Sequence, residues 1–196
     1  MSKTPQSLDF TGEFGLSIII PYGEVLGLKW DAINFSNNTF YVRHTVVRID
    51  KVLHKKDATK TDSSYRSLPM PSIIVDMLNR IREIQEEYQR LQPNDYVDEG
   101  YIFTKPDGEL ISPNYVTKHF RDILVKNNLP IIRLHDLRHS TASYLLHLGF
   151  KMKEIQMWLG HGDIGTTMNL YAHLDMDAKR NIADTLSTQF KTRATQ

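Results

Sequence analysis

Leu134-His135-Asp136-Leu137-Arg138-His139, then Leu159-Gly160-His161-Gly162, then Tyr171 form the stretch around which the rest of the chain is arranged. It holds a guanidinium that keeps its charge at any working pH, imidazoles (His135 and His161 among them) able to pass protons or donate hydrogen bonds, and a phenol. Such groups suit attack on a phosphodiester, in which a phenolic oxygen takes the phosphoryl group while cations and donors hold the developing charge. His135 and Arg138 are three residues apart, about one helical turn, so a helix would present both from one side.

Around this stretch the pattern past Pro130 is helical. A helix over 135–148 is expected to bury Leu137, Thr141, Tyr144, Leu145 and Leu148 and to stop at Gly149; another over 152–159 stops at Gly160. Asp163 can cap a helix carrying Met168, Leu170 and Tyr171. Asp175 opens a last helix, 175–190, in which Ala178, Ile182, Leu186 and Phe190 recur every fourth residue. So narrow a stripe can dock in its own core or on a neighbouring subunit.

Upstream, Ser112-Pro113 caps a helix reaching about Asn127, Lys105-Pro106-Asp107-Gly108 is a turn, and Tyr101-Ile102-Phe103 is a short extended piece. The clearest helix starts at Pro71-Ser72, carries the stripe Ile74, Met77, Leu78, Ile81, Ile84, Tyr88 and Leu91, and ends before Pro93. Before it the period changes. Asn37-Asn38 turns between Ile33-Asn34-Phe35 and Thr39-Phe40-Tyr41-Val42, and β-branched residues continue to Ile49. Residues 51–64 are basic and polar, a loop or hairpin tip, and 65–70 resume as a strand, which predicts a three-stranded antiparallel sheet. The apolar run 16–20 is a strand or a buried helix fragment closed by Pro21, and 24–30 is a short helix ending near Gly27. Residues 1–15 read as a loose tail, 16–190 as the domain and 191–196 as a second tail. The fold class expected is α+β, mainly α.

Composition sets the boundaries. With 196 residues, 40% hydrophobic and 24% charged, the chain can bury one sizeable core. It has no cysteine, which excludes disulfides and thiolate metal sites, and no apolar run approaches the length of a membrane span. A cytoplasmic protein is the expectation. Net charge is only +1, so bulk electrostatics do not announce a nucleic-acid binder, yet basic residues recur in 51–66 and 118–138.

The series H-x-x-R, L-G-H-G and a Tyr ten residues on resembles the tyrosine recombinases, or phage integrases. The resemblance implies a helical catalytic domain with a small sheet. It further implies double-stranded DNA as substrate, strand transfer through a 3′-phosphotyrosyl link, no cofactor or metal, and a tetramer working on paired DNA sites. Under it Tyr171 is the nucleophile, Arg138 the phosphate clamp, and His135 and His161 a proton-transfer group and a hydrogen-bond donor to the phosphate. Lys60-Thr61-Asp62-Ser63-Ser64-Tyr65-Arg66 is similar to the family's K-T-x-x-S-x-R element, whose Lys, here Lys60, would protonate the departing 5′ oxygen. The helix at 175–190 is the candidate for subunit exchange.

One departure stands out. Glu24, Leu26, Leu28 and Trp30 match the family pattern G-L-R-x-x-E-x-L-x-L-x-W, but the place of its first catalytic Arg is taken by Pro21. Losing one charge-stabilising donor typically costs on the order of 10²–10³ in rate, so weak or absent recombination is expected. The family's upstream DNA-binding domain is also expected to be absent. A DNA-binding remnant of an integrase, using the same basic surface without the chemistry, is the alternative. A zinc hydrolase built on His135 and His139 lacks the Glu of H-E-x-x-H, and no nucleotide-binding glycine motif occurs.

Overall fold

The computed structural model describes residues 16–17, 19–50, 52–57 and 66–160. Lys60, His161, Tyr171, the expected helices beyond Gly160, including 175–190, and both tails lie outside the described residues.

The run ahead of Pro21 is a helical turn, with Ile19 and Ile20 N–H donating to the Leu16 carbonyl at 2.9 and 3.0 Å, and this decides between the two readings of 16–20. Pro21 then caps α1 (Tyr22–Leu26), as its fixed φ allows, and Gly27 ends it. A 3₁₀ turn over Trp30–Ala32 leads into β1 (Ile33–Asn34) and β2 (Thr39–Val42). The hairpin turn puts Asn38 at φ 52°, a conformation Asn tolerates better than other side chains. β5 (Arg66–Pro69) pairs antiparallel with β2 to complete the expected three-stranded sheet, β1-β2-β5.

A second, two-stranded ribbon is made by β3 (His44–Ile49) and β4 (Val52–Asp57), paired antiparallel from His44–Asp57 to Ile49–Val52. The first part of the basic segment is therefore the second strand of a hairpin, where a loop or hairpin tip was expected. Its charges sit on the exposed residues of a ribbon that is completed by backbone ladder bonds, while Val46 is buried in the core and Leu53 packs against it.

Helix α2 (Ser72–Leu91) buries Ile74, Leu78, Ile81 and Tyr88, as the stripe predicts, but it also buries Gln85, and Leu91 is exposed at the fraying end. The side chain of Gln85 fits the apolar face because every polar atom finds a partner. It accepts from Trp30 Nε1 at 2.8 Å and donates to the carbonyls of Tyr101 and Ile102 and to Thr104 Oγ1. Helix α3 (Pro113–Lys126) starts where Ser112 Oγ accepts from the Tyr115 N–H at 3.2 Å.

Helix α4 (Leu134–His147) is rotated relative to its apolar pattern. Its buried ridge is Leu134, Arg138 and Ala142, four residues apart, while Tyr144 and Leu148 are 61% and 54% exposed, contrary to expectation. The reason is Arg138: a charge at the centre of the buried face is invisible to hydrophobic periodicity. Helix α5 (Met152–Leu159) packs Ile155 and Leu159 on Ala142 and ends at Gly160. The main core joins Leu26, Phe40, Val46, Leu68, Leu78 and Ile102 and carries α1 and the sheet.

Candidate functional site

Arg138 lies 3% exposed between two segments distant in sequence. Its Nη1 donates to the Ile19 carbonyl at 2.7 Å, and its Nη2 donates to the Leu159 carbonyl. Helix α5 thus ends on Arg138, two residues before His161 in the chain. Burial lowers the pKa of Arg138 from the ordinary guanidinium range to about 10, helped by the Arg66 charge and opposed by Glu24. The side chain remains a cation at neutral pH, although its charged form is disfavoured by roughly 3 kcal/mol.

Asp136, two residues before Arg138, is held by Arg133. Its Oδ1 accepts from Arg133 Nη2 at 2.8 Å, and its Oδ2 accepts from the Arg133 backbone N–H at 2.9 Å, closing the first turn of α4.

His135 sits one turn before Arg138 but on the exposed side, its ring edge-on to His139 with centroids 4.6 Å apart. Desolvation, then the charges of His139 and Arg138, hold its pKa below the usual imidazole value, with Asp136 acting against them. A neutral imidazole at pH near 7 can accept a proton. Among the described residues no group of three or more His, Asp or Glu could hold a metal ion.

Two further residues join the group. Arg66, at the start of β5, donates from Nη2 to Glu24 Oε2 on α1 at 2.7 Å, with the two side chains 15% and 17% exposed. Both occur in motifs legible in the sequence, Glu24 in the α1 pattern and Arg66 at the end of the Lys60 element. Nothing in a linear motif marks a contact across 42 residues. The structure therefore gathers Arg138, Arg66 and Glu24, with His135 at the margin. Of the five residues singled out from the sequence, Lys60, His161 and Tyr171 lie outside the described residues, though Gly160 leads directly into His161 and Arg66 follows the Lys60 segment.

A cleft of about 700 Å³ lies elsewhere, lined by Leu53, Lys55, Val97, Lys105, Leu110 and Tyr115 among others, and shares no residue with the Arg138 group. The site is instead a set of charges at the junction of α1, β5, α4 and the end of α5, with Arg138 buried and the Arg66–Glu24 pair largely so. Among the described residues no helix is long and apolar enough to cross a membrane.

The phage integrase family model matches residues 14–178. A tyrosine recombinase XerC-like protein of Caldanaerobacter subterraneus subsp. tengcongensis is 32% identical over 179 residues, covering 86% of this chain and 46% of that protein. The integrase of Staphylococcus phage L54a is 29% identical, over 84% of this chain and 47% of its own length. The chain thus spans about half the length of these relatives. Among solved structures, the Tn1549 transposon integrase in complex with transposon right end DNA superposes with a TM-score of 0.75 at 23% identity, covering 95% of this chain and 61% of that one. The fold is that of tyrosine recombinase catalytic domains.

Proposed function

The chain belongs to the phage integrase family, and from that premise we propose that it cuts and rejoins double-stranded DNA by transesterification. The Tyr171 oxygen attacks a backbone phosphorus, forming a 3′-phosphotyrosyl bond as the P–O5′ bond breaks, and the freed 5′ hydroxyl of a second strand reverses the step. Arg138 holds the non-bridging oxygens, His135 and His161 move a proton and donate to the phosphate, and Lys60 protonates the departing 5′ oxygen.

The observation that carries this reading is Arg138: a buried guanidinium kept charged against a desolvation cost, tied to the helix end that leads into His161. Exposed Arg48, Lys56, Lys118, Arg121 and Lys126 add phosphate-binding capacity on the ribbon and on α3. The structural neighbour in complex with DNA supports the substrate class. Assembly as a tetramer on DNA through 175–190 belongs to the same proposal, supported by apolar side chains that α4 and α5 leave exposed, Tyr144, Leu148 and Met157.

Pro21 favours a second reading, a DNA-binding remnant with impaired chemistry, because one cation of the resembled site is replaced by a residue with no charge. A covalent-adduct assay on a nicked suicide duplex separates the two. An enzyme leaves DNA attached to Tyr171 and loses that product in Tyr171→Phe. Salt-dependent binding with no adduct, even after Pro21→Arg, would establish the remnant.

A further inference from the structure

Strand β4 has one edge bonded to β3 and one edge open. Two residues separate Ile49 from Val52 at the tip of the ribbon, and the first of them, Asp50, has φ 48°, as the favoured two-residue hairpin turns require. Such a turn is closed by a pair that exchanges both backbone hydrogen bonds, here Ile49 and Val52. Bonded pairs then recur at Val47–His54 and Thr45–Lys56, whereas Leu53 and Lys55 turn their N–H and C=O groups away from β3. Among the described strands none pairs with that outer edge.

The same two residues line the cleft of about 700 Å³. Side chains alternate across a strand, so Leu53 and Lys55 share the cleft face of β4, while His54 and Lys56 share the opposite face and are exposed. Val97, Leu110 and Tyr115 give the cleft an apolar lining, and its charges are matched in pairs, Lys55 with Glu99 and Lys105 with Glu109. The far wall is fixed through the backbone. The Val97 N–H donates to the Asp107 carbonyl at 2.9 Å, the Lys105 N–H donates to the Glu109 carbonyl at 2.8 Å, and a Cβ on Gly108 would fall 2.9 Å from the Val97 nitrogen. A preformed wall beside an open strand edge lowers the ordering cost of a segment laid along it.

We propose that the outer edge of β4 is a docking site for an extended, acidic segment of a partner protein, added to the ribbon as a third strand. Its backbone pairs with Leu53 and Lys55, its alternate apolar side chains enter the cleft, and the carboxylates between them lie beside His54 and Lys56. Charge selects among the occupants. A second copy of this chain, laid β4 against β4, would set the basic run His54-Lys55-Lys56 against itself, and like charges on facing strands oppose pairing. DNA would find the lysines, but its phosphates carry no N–H for the Leu53 and Lys55 carbonyls and nothing that fills an apolar cleft. The cleft shares no residue with the Arg138 group, and docking there does not depend on strand transfer.

The test uses the whole wild-type chain and a synthetic hexapeptide, capped at both ends, that alternates glutamate and valine. Calorimetric titration measures binding, and NMR follows hydrogen exchange at the Leu53 and Lys55 amides with and without the peptide. Saturable binding is expected, with exchange at both amides slowed about tenfold or more. Two N-methylated versions of the peptide, blocked on one set of alternate nitrogens or on the other, should differ in affinity by about tenfold, because only one set faces β4 and a few hydrogen bonds are lost with it. Exchanging glutamate for lysine, or valine for glycine, should each weaken binding by a similar factor. Absence of binding at millimolar peptide would overturn the proposal, as would equal affinity of the two methylated versions with both amides exchanging freely. Protection of the same amides by a short DNA duplex, or by concentration-dependent self-association without peptide, would overturn it in favour of DNA or a second copy. Since every arm is read on the wild-type protein, none depends on a variant that folds.

Discussion

Arg138 Nη1 donates to the Ile19 carbonyl at 2.7 Å, joining α4 to a turn 119 residues earlier in the chain. The same guanidinium holds the Leu159 carbonyl, so one planar fork bridges the segment before α1 and the end of α5. A lysine ammonium is a single point and cannot satisfy both acceptors in that geometry. Arg138→Lys is therefore expected to lower stability by about 1–3 kcal/mol, because a buried carbonyl loses its donor. The urea midpoint measures this. Adduct formation should fall by about 10²–10³ if the fork also grips phosphate. An unchanged midpoint would mean that neither bond holds the fold together.

His135 makes stability depend on pH in a stated direction. Its pKa is lowered in the folded state, by desolvation first and then by the neighbouring His139 and Arg138 charges. The unfolded chain then binds the proton more readily, so stability is lost as pH falls from the ordinary imidazole value through the folded one. Melting temperature recorded from about pH 7 to about pH 5 should decline less steeply in His135→Asn than in the wild type. A steeper decline in the variant would reverse the sign and exclude a depressed His135.

Gln85 is the polar hub of an otherwise apolar helix face. Its amide takes the Trp30 N–H and serves the carbonyls of Tyr101 and Ile102. Gln85→Leu keeps the volume but leaves those groups unpaired, at an expected loss of about 1–3 kcal/mol in urea denaturation. Gln89→Leu, one turn on and exposed, should change little.

Much of this architecture could be read from local pattern, because helix α2, the Asn37-Asn38 hairpin and the caps at Ser112 and Gly160 are decided by residues within a few positions of one another. Where the reading failed, the deciding partner was remote. The face of α4 turned toward the core because Arg138 found carbonyls at Ile19 and Leu159, and no hydrophobic scale ranks an arginine as buried. Strand β4 was hidden by its charges, since ladder bonding to β3 asks nothing of them. Within the candidate site, the helix carrying His135 and Arg138 was legible, but not that Arg138 is buried and His135 exposed, and the Arg66–Glu24 contact needs the sheet and α1 to be assembled first.

Gly27 and Gly149 predict opposite costs for the same substitution. A Cβ on Gly27 would lie 2.5 Å from the His44 carbonyl carbon and 2.9 Å from the Thr45 nitrogen, both backbone atoms of β3. Nothing there can yield without parting α1 from the ribbon. Gly149 has φ 90° and open space around it, so alanine meets only backbone strain of roughly 1–2 kcal/mol. Gly27→Ala should cost more than Gly149→Ala and should abolish cooperative unfolding if α1 is displaced. Equal melting temperatures for the two variants would mean that α1 does not depend on this close approach.

Pro21→Arg tests whether the site is short of a cation. Pro21 sits at φ −54° and ψ 139°, angles open to arginine, and its carbonyl, which accepts from Glu24 and Val25 N–H at 2.8 and 3.0 Å, is retained. The new guanidinium would start one helical turn from Glu24, beside a group that already contains Arg66 and Arg138. Like charges repel, so the variant should be slightly less stable than the wild type at low salt and should recover as salt rises. If the wild-type site lacks a charge-stabilising donor, adduct formation on the suicide duplex should rise by about 10²–10³ even as stability falls. A loss of stability with no gain in adduct would show that the two arginines already present supply all the positive charge the reaction can use, or that no reaction occurs; Tyr171→Phe in the same background decides which, since only a working nucleophile can lose its product.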